Sequence, residues 1–312
     1  MEFLYFLEGI RNPVLDFLFS TITHIGEETV FLVVAIFFFW CIDKKEGYFI
    51  LMTGLIGTVL NQALKLVFRI PRPWVYDPNF TVVGDAKIQA TGYSFPSGHT
   101  QNVVGTFGAI GRYSKRRGVR IISIAIIVLV AFSRMYLGVH TPLDVGVSIV
   151  IGTLLVFGLY PCFKYRGDLR HNMPIIVIVS TLMSLALLVY VFCYVDGGEV
   201  DPDNLYSGMK NAATLFGCTL ALIPVYIVDR HYDFPTEAKW YSQIIKLVVG
   251  LAGIIGIKAG LSAPLENLFG NEFLARGVRY FLIVIFAGLV WPLTFKFFKR
   301  LRIGVSRNGD AI

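Results

Sequence analysis

Charge is scarce in this chain. Asp, Glu, Lys and Arg make up 16% of its 312 residues, while apolar residues make up 55%. A solvated globular surface carries roughly a quarter charged residues, so this composition excludes an ordinary soluble domain. Cysteine is scarce too. Cys41, Cys162, Cys193 and Cys218 fall in or beside apolar runs at no metal-ligand spacing, which argues for buried free thiols. The N-terminus lacks a basic start, and Glu2 and Glu8 flank its apolar residues, so it does not read as a cleavable signal peptide. Residues 166–312 contain no nucleotide, metal or nucleophile motif, and no internal repeat relates the two halves.

What fills the chain is hydrocarbon. Apolar runs near the ~20-residue length of a bilayer crossing recur along it. They place spans at about 29–42, 47–68, 98–113, 120–138, 143–163, 174–195, 209–228, 244–262 and 278–296. No soluble stretch of useful size remains between them. The fold expected is all-α, a polytopic membrane bundle of about nine spans. Residues 1–28 form an N-terminal segment, with Asn12 as an N-cap and Pro13 at the first helical position. Helices lying in the interface are expected there; the other reading is that residues 13–24 begin the first span. Gly250, Gly253, Gly256 and Gly260 mark one late helix for close packing.

The net charge of +7 is an orientation signal. Lys44 and Lys45, Lys115 to Arg117, Lys164, Arg166 and Arg170, Arg230 and Lys239, and a tail reaching Arg302 all fall in alternate loops. The remaining loops are poor in Lys and Arg, and one is acidic (Asp196, Glu199, Asp201, Asp203). Basic loops stay cytoplasmic. The charge therefore gives no indication of a nucleic-acid partner.

Three blocks carry chemistry, and each sits at the end of an apolar run on the expected outer side. The first is Lys65-x6-Arg72-Pro73. Pro71 and Pro73 hold the chain around Arg72 out of helix. Lys and Arg can stabilise the charge on a phosphoryl group in transfer, and Arg adds a two-pronged grip. Alone, Lys65 at a span end would read as a snorkelling residue, as does Arg69 nearby. The second block is Pro96-Ser97-Gly98-His99. Ser97 offers a hydroxyl, Gly98 a close backbone approach, and His99 a proton for a leaving oxygen. Alone, it would read as a capped helix start. The third is Ser133-Arg134-x5-His140-x3-Asp144. Asp144 lies one turn beyond His140, where a carboxylate can fix the tautomer and free the other nitrogen as nucleophile. Alone, such a pair is more often structural. The inventory can hold a phosphate without metal, attack it and protonate what leaves.

In order and in full, these blocks resemble the signature of the type 2 phosphatidic acid phosphatase superfamily, over residues 65–144 and with neighbouring spans to about 165. That resemblance implies a six-helix phosphatase core within 29–165, and leaves 166–312 as about three additional membrane helices. It implies His140 as a nucleophile forming a phosphohistidine, Asp144 as its orienting carboxylate and His99 as general acid and then base. Lys65, Arg72, Ser97, Gly98 and Arg134 would hold the phosphoryl oxygens, with Ser133 in support and no metal or cofactor. The partners it implies are a lipid phosphate and membrane lipids. Undecaprenyl pyrophosphate or a related isoprenoid phosphate is the first choice, in a bacterial plasma membrane with the site extracytoplasmic. Phosphatidate, phosphatidylglycerol phosphate, sphingoid phosphates and sugar phosphates stay open, as does transfer to a second lipid. A lipid-phosphate binder or transporter is the non-enzymatic alternative. No feature fixes an oligomeric state. The charge pattern has a direct check. With native cysteines removed, Asp85→Cys on intact cells is expected to react with a membrane-impermeant maleimide and Arg117→Cys is not; the reverse would invert the topology.

Overall fold

A computed structural model describes residues 1–164, 166–193, 195, 200–232 and 234–300. Asp196, Glu199 and Arg302, counted above among the loop charges, lie outside the described residues. Among those described, the only regular structure is helical. In chain order the helices are α1 (Glu2–Gly9), α2 (Pro13–Thr23), α3 (Glu28–Phe37), α4 (Lys44–Phe68), α5 (Pro73–Tyr76), α6 (Ala86–Gln89), α7 (Gly98–Val103) and α8 (Ala109–Tyr113). They continue as α9 (Arg117–Tyr136), α10 (Pro142–Lys164), α11 (Arg166–Cys193), α12 (Pro202–Tyr232), α13 (Trp240–Gly260), α14 (Ser262–Phe269), α15 (Glu272–Ile285) and α16 (Phe295–Arg300).

Seven segments are long and apolar enough to cross a bilayer, and α2 with α3 through Ile42 make an eighth if that pair is one span, bent by 51°. The expected third span is α7 and α8 joined by the wider π-helical turn Val104–Gly108. At ~1.5 Å per residue its sixteen residues reach only about 24 Å. Ile121, Ile122, Ile124 and Val128 on α9, and Val150, Leu154 and Phe157 on α10, are exposed without a protein partner to cover them. Such a continuous apolar surface faces lipid, and the protein is an integral membrane protein.

Sequence explains the helix boundaries. Asn12 accepts from the N–H groups of Val14 and Leu15, and Pro13 takes the first helical position. Glu27 and Glu28 interrupt the first apolar run, and the bend falls there. Asp43 caps α4 by accepting from Lys45 and Glu46 N–H, and Arg69 in left-handed backbone closes its far end. The apolar window of α4 is 61% buried against 11% for Trp240–Phe269, so α4 is central and α13 lies on the rim. Phe49, Ile50 and Met52 on α4 are fully enclosed.

The late helices join this centre through polar contacts as well as apolar ones. Lys44 pairs with Asp229 of α12 at 2.5 Å. The Trp40 indole donates to Ala287 O at 2.8 Å. Lys246 is buried and donates to Trp40 O and Thr236 O, with its ammonium 4.4 Å from the Phe295 ring centre. These partners supply the hydrogen bonds a buried cation requires.

The glycine pattern is only half used. A Cβ on Gly250 would strike Trp40 and Trp291, and one on Gly253 would strike Phe286, but nothing lies within 4 Å at Gly256 or Gly260. The tightest helix approach is elsewhere, between Gly217 of α12 and Gly277 of α15, where an added Cβ would sit 2.1 Å from the Gly277 carbonyl oxygen. The thiols also differ from expectation: all four are free, but only Cys218 is buried and Cys193 is exposed. Overpacking costs about 1–3 kcal/mol, while Gly→Ala in an open helix gains roughly 0.5–1 kcal/mol. Gly217→Ala is therefore expected to lower the detergent melting temperature by several degrees, and Gly256→Ala to leave it level or raise it. Equal effects would refute the packing asymmetry.

Candidate active site

The first block is positioned by the end of α4 and the prolines after it. Lys65 is buried in the last turn, with its ammonium donating to Tyr93 O. Arg72 lies in extended backbone between Pro71 and Pro73, also buried. Its guanidinium donates to three carbonyls: Gly92 O from Nε at 3.0 Å, Thr91 O from Nη2 at 2.8 Å and Val139 O from Nη1 at 2.9 Å. Nη1 also lies 3.0 Å from His140 Nε2.

The second block opens α7. Ser97 Oγ accepts from Thr100 Oγ1 at 3.0 Å and from Thr100 N–H at 3.4 Å. Ser97 is fully buried as a helix cap, and its side chain does not reach the cavity wall, unlike Gly98 and His99. Backbone ties lock this turn to its neighbours. Ser97 N–H donates to Asp144 O, Ser148 Oγ donates to Ser97 O, and Asn61 Nδ2 donates to Pro96 O.

The third block follows α9. Gly138 has φ of 82°, and a Cβ there would lie within 3.0 Å of Arg11, Phe80 and Thr81, so the turn into His140 requires glycine. The N–H groups of Val139 and His140 both point to Arg134 O. Asp144 Oδ2 accepts from Ser94 Oγ at 2.5 Å and Thr141 N–H at 2.7 Å, and lies 3.5 Å from His140 Nδ1. Arginine has only donors, so Nε2 of His140 must be the acceptor of the Arg72 contact. The ring proton then sits on Nδ1, facing Asp144. Burial, and after it the charges of Arg72 and Arg134, hold the imidazole well below its ordinary pKa and keep it neutral.

One cavity of about 210 Å³ gathers Lys65, Arg72, Gly98, His99, Arg134 and His140. Asp144 and Ser133 stand behind it. Ser133 Oγ donates to Val130 O within its own helix. Arg134 donates to Thr23 Oγ1 at 2.6 Å. Among the described residues, Lys65, Arg72 and Arg134 form no ion pair with a carboxylate. Three buried cations without anionic partners are costly unless an anion completes them. No three His, Cys, Asp or Glu side chains converge as metal ligands among the described residues.

Sequence reasoning missed Ser94 and Thr23, which hold Asp144 and Arg134. It also missed Glu27, Asn61, Gln101 and Asn211 on the cavity wall. The available signal was spacing: Thr58, Asn61, Gln62 and Lys65 share one face of an apolar helix.

Comparison with known proteins identifies the family. Residues 45–168 match the PAP2 superfamily, and residues 209–303 match its phosphatase transmembrane extension. The undecaprenyl-diphosphatase BcrC of Bacillus subtilis is 30% identical over 169 residues, covering 54% of this chain and 83% of that protein. The chain belongs to the PAP2 superfamily. Phosphatidylglycerophosphatase B of Bacillus subtilis is 31% identical over 166 residues, covering 47% of this chain and 75% of its own length. A probable sphingosine-1-phosphate phosphatase of Dictyostelium discoideum is 28% identical over 158 residues, 46% of this chain and 38% of that protein. As a PAP2 member with the membrane extension, the chain is a lipid phosphatase of this type.

The Ser94 contact is open to test. A hydrogen bond to a charged group contributes about 1.5–3 kcal/mol, and ~1.4 kcal/mol is tenfold in rate. Ser94→Ala is expected to lower kcat about tenfold to a hundredfold at matched folded protein, with Ser94→Thr retaining more activity. Wild-type kcat in Ser94→Ala would remove this serine from the machinery.

Proposed function

We propose that the protein hydrolyses a lipid phosphate or diphosphate through a phosphohistidine, without a metal ion. The observation that carries the reading is the convergence of three carboxylate-free cations on a neutral imidazole whose free lone pair is at Nε2. In the proposed first step, Nε2 of His140 attacks phosphorus. Arg72 moves its donor from that nitrogen to a phosphoryl oxygen, joined by Lys65 and Arg134. The P–O bond breaks with its electron pair leaving on oxygen, and His99 supplies the proton. Asp144 holds the Nδ1 proton and balances the charge that grows on the ring. In the second step water displaces the histidine, with His99 as base. The part proposed for Ser97 is indirect: it caps α7 and presents Gly98 N–H to the cavity.

The substrate proposed first is undecaprenyl diphosphate or another isoprenoid diphosphate. The charge pattern supports an outward site in a bacterial plasma membrane, within reach of a headgroup whose tail stays in the bilayer. The three relatives differ in the substrates their names carry, so phosphatidylglycerol phosphate and sphingoid phosphate belong in the same panel. A binder or transporter would have no need of His99, His140 and Asp144 together.

The test uses purified protein in detergent with excess EDTA, offered these lipids and a short soluble phosphate. Phosphate release in EDTA is expected, strongest with the isoprenoid diphosphate. His140→Ala is expected to abolish both turnover and covalent labelling. His99→Ala should slow transfer most for poor leaving groups. Strict dependence on added Mg²⁺ would sink the cationic cradle, and a labelled phosphoenzyme in His140→Ala would sink the nucleophile.

A further inference from the structure

One part of the catalytic cavity takes no part in the phosphate cradle. Below Lys65, α4 carries Gln62, Asn61 and Thr58 in one stripe that descends about 10 Å by helical rise. Gln101 of α7 and Asn211 of α12 line the same cavity. Polar side chains at this depth of a membrane bundle are costly and mark function. Asn61 and Gln101 are each only 2% exposed. Among the described residues, no group pairs with Asn61 Oδ1 or with either polar atom of Gln101. Asn61 Nδ2 is committed to Pro96 O, so its oxygen remains as an unspent acceptor. Gln101 keeps both a donor and an acceptor.

This annex has the wrong character for either half of a lipid phosphate. Its amides carry no positive charge for the phosphoryl group, and Glu27 and Glu28 on the same cavity wall would repel one. Its apolar lining is confined to Ala90 and Leu215, too little to seat a lipid tail. A small neutral group that both donates and accepts fits it, and the reaction consumes such a molecule. Buried amides of this kind are ordinarily satisfied by ordered water.

We propose that Asn61, Gln101 and Asn211 form the acceptor-water site, which feeds hydrolysis of the phosphohistidine and disfavours transfer to a lipid alcohol. The proposal rests on the phosphohistidine reading above. In the step it serves, a water oxygen forms a bond to phosphorus as the P–Nε2 bond breaks. That electron pair returns to His140 Nε2, and His99 accepts the water proton, giving inorganic phosphate. The transmembrane extension thereby acquires a part in the chemistry, since α12 supplies Asn211. Thr214, one turn on, is a fixed wall: its hydroxyl donates to Lys210 O and accepts from Arg276 Nε, each at 2.8 Å.

The experiment separates the two half-reactions. Wild type, Gln101→Met and Asn211→Leu are mixed with p-nitrophenyl phosphate. Nitrophenolate release is followed before steady state, phosphohistidine is trapped by alkaline quench, and methanol serves as a competing acceptor. In both variants, formation of phosphohistidine is expected within about twofold of wild type. Its breakdown is expected to slow about tenfold, the effect of one lost hydrogen bond on a barrier. The trapped intermediate and the methyl phosphate fraction should both rise. The near-isosteric Gln101→Met guards against misfolding, and the distant Asn211→Leu must show the same split. Parallel loss of both half-reactions, or an unchanged split, overturns the water site. So does a selective rise in KM for hydroxyl-bearing lipid phosphates over plain alkyl phosphates without accumulation of intermediate. Absence of any phosphohistidine in wild type overturns the parent mechanism as well, which distinguishes the two failures.

Discussion

A guanidinium can donate a hydrogen bond but cannot accept one, and the site depends on that constraint. Because Arg72 Nη1 lies against His140 Nε2, the imidazole lone pair must be there and its proton must face Asp144. One contact thus sets the tautomer and, in the proposed mechanism, stations a cation beside the nitrogen that attacks phosphorus. The other Arg72 donors hold carbonyls at Thr91, Gly92 and Val139. The same residue therefore ties the 69–97 loop to the turn that carries His140. Loss of this arginine would free both that loop and the His140 turn.

The arrangement is transmitted through α4. At its N-terminal end Lys44 meets Asp229 of α12, and the Tyr48 hydroxyl donates to the same carboxylate at 3.3 Å. At its C-terminal end Lys65 and Asn61 hold the backbone at Tyr93 and Pro96, just before His99. A central helix anchored at both ends fixes where Lys65 and Asn61 stand relative to the loop before His99. It also fixes where α12 can stand, and hence which residues of the extension face the cavity.

How much of this was legible follows from the kind of signal each residue gives. Lys65, Arg72, Arg134, His99, His140 and Asp144 stood out because ionisable groups in an apolar context have few ordinary explanations. The caps at Asn12 and Ser97 were legible from their neighbours. Ser94 and Thr23 were not: Ser94 lies in the loop before α7 and Thr23 ends α2, where hydroxyl residues ordinarily bond nearby backbone. Spacing cannot tell such a residue from one that reaches across to Asp144 or Arg134. That the Ser97 hydroxyl turns to Thr100 rather than to the cavity was equally hidden, because either choice satisfies it. The glycine stripe failed for a related reason: a helix carries its pattern along its whole length, but a neighbour covers only part of it.

What holds the cradle's cations also explains why they remain available. Lys65 and Arg72 bind backbone carbonyls and Arg134 binds a threonine hydroxyl. A carboxylate in any of these places would satisfy the buried charge better, and would compete with phosphate by the same charge-assisted hydrogen bonds. Neutral oxygens orient the donors without neutralising them. In the proposed function, part of the cost of burying these cations becomes affinity for the phosphoryl group in flight. Asp144, behind the cavity, is turned instead to the imidazole, Ser94 and Thr141. In the proposed mechanism the site thus separates a carboxylate that serves the nucleophile from cations that serve the substrate.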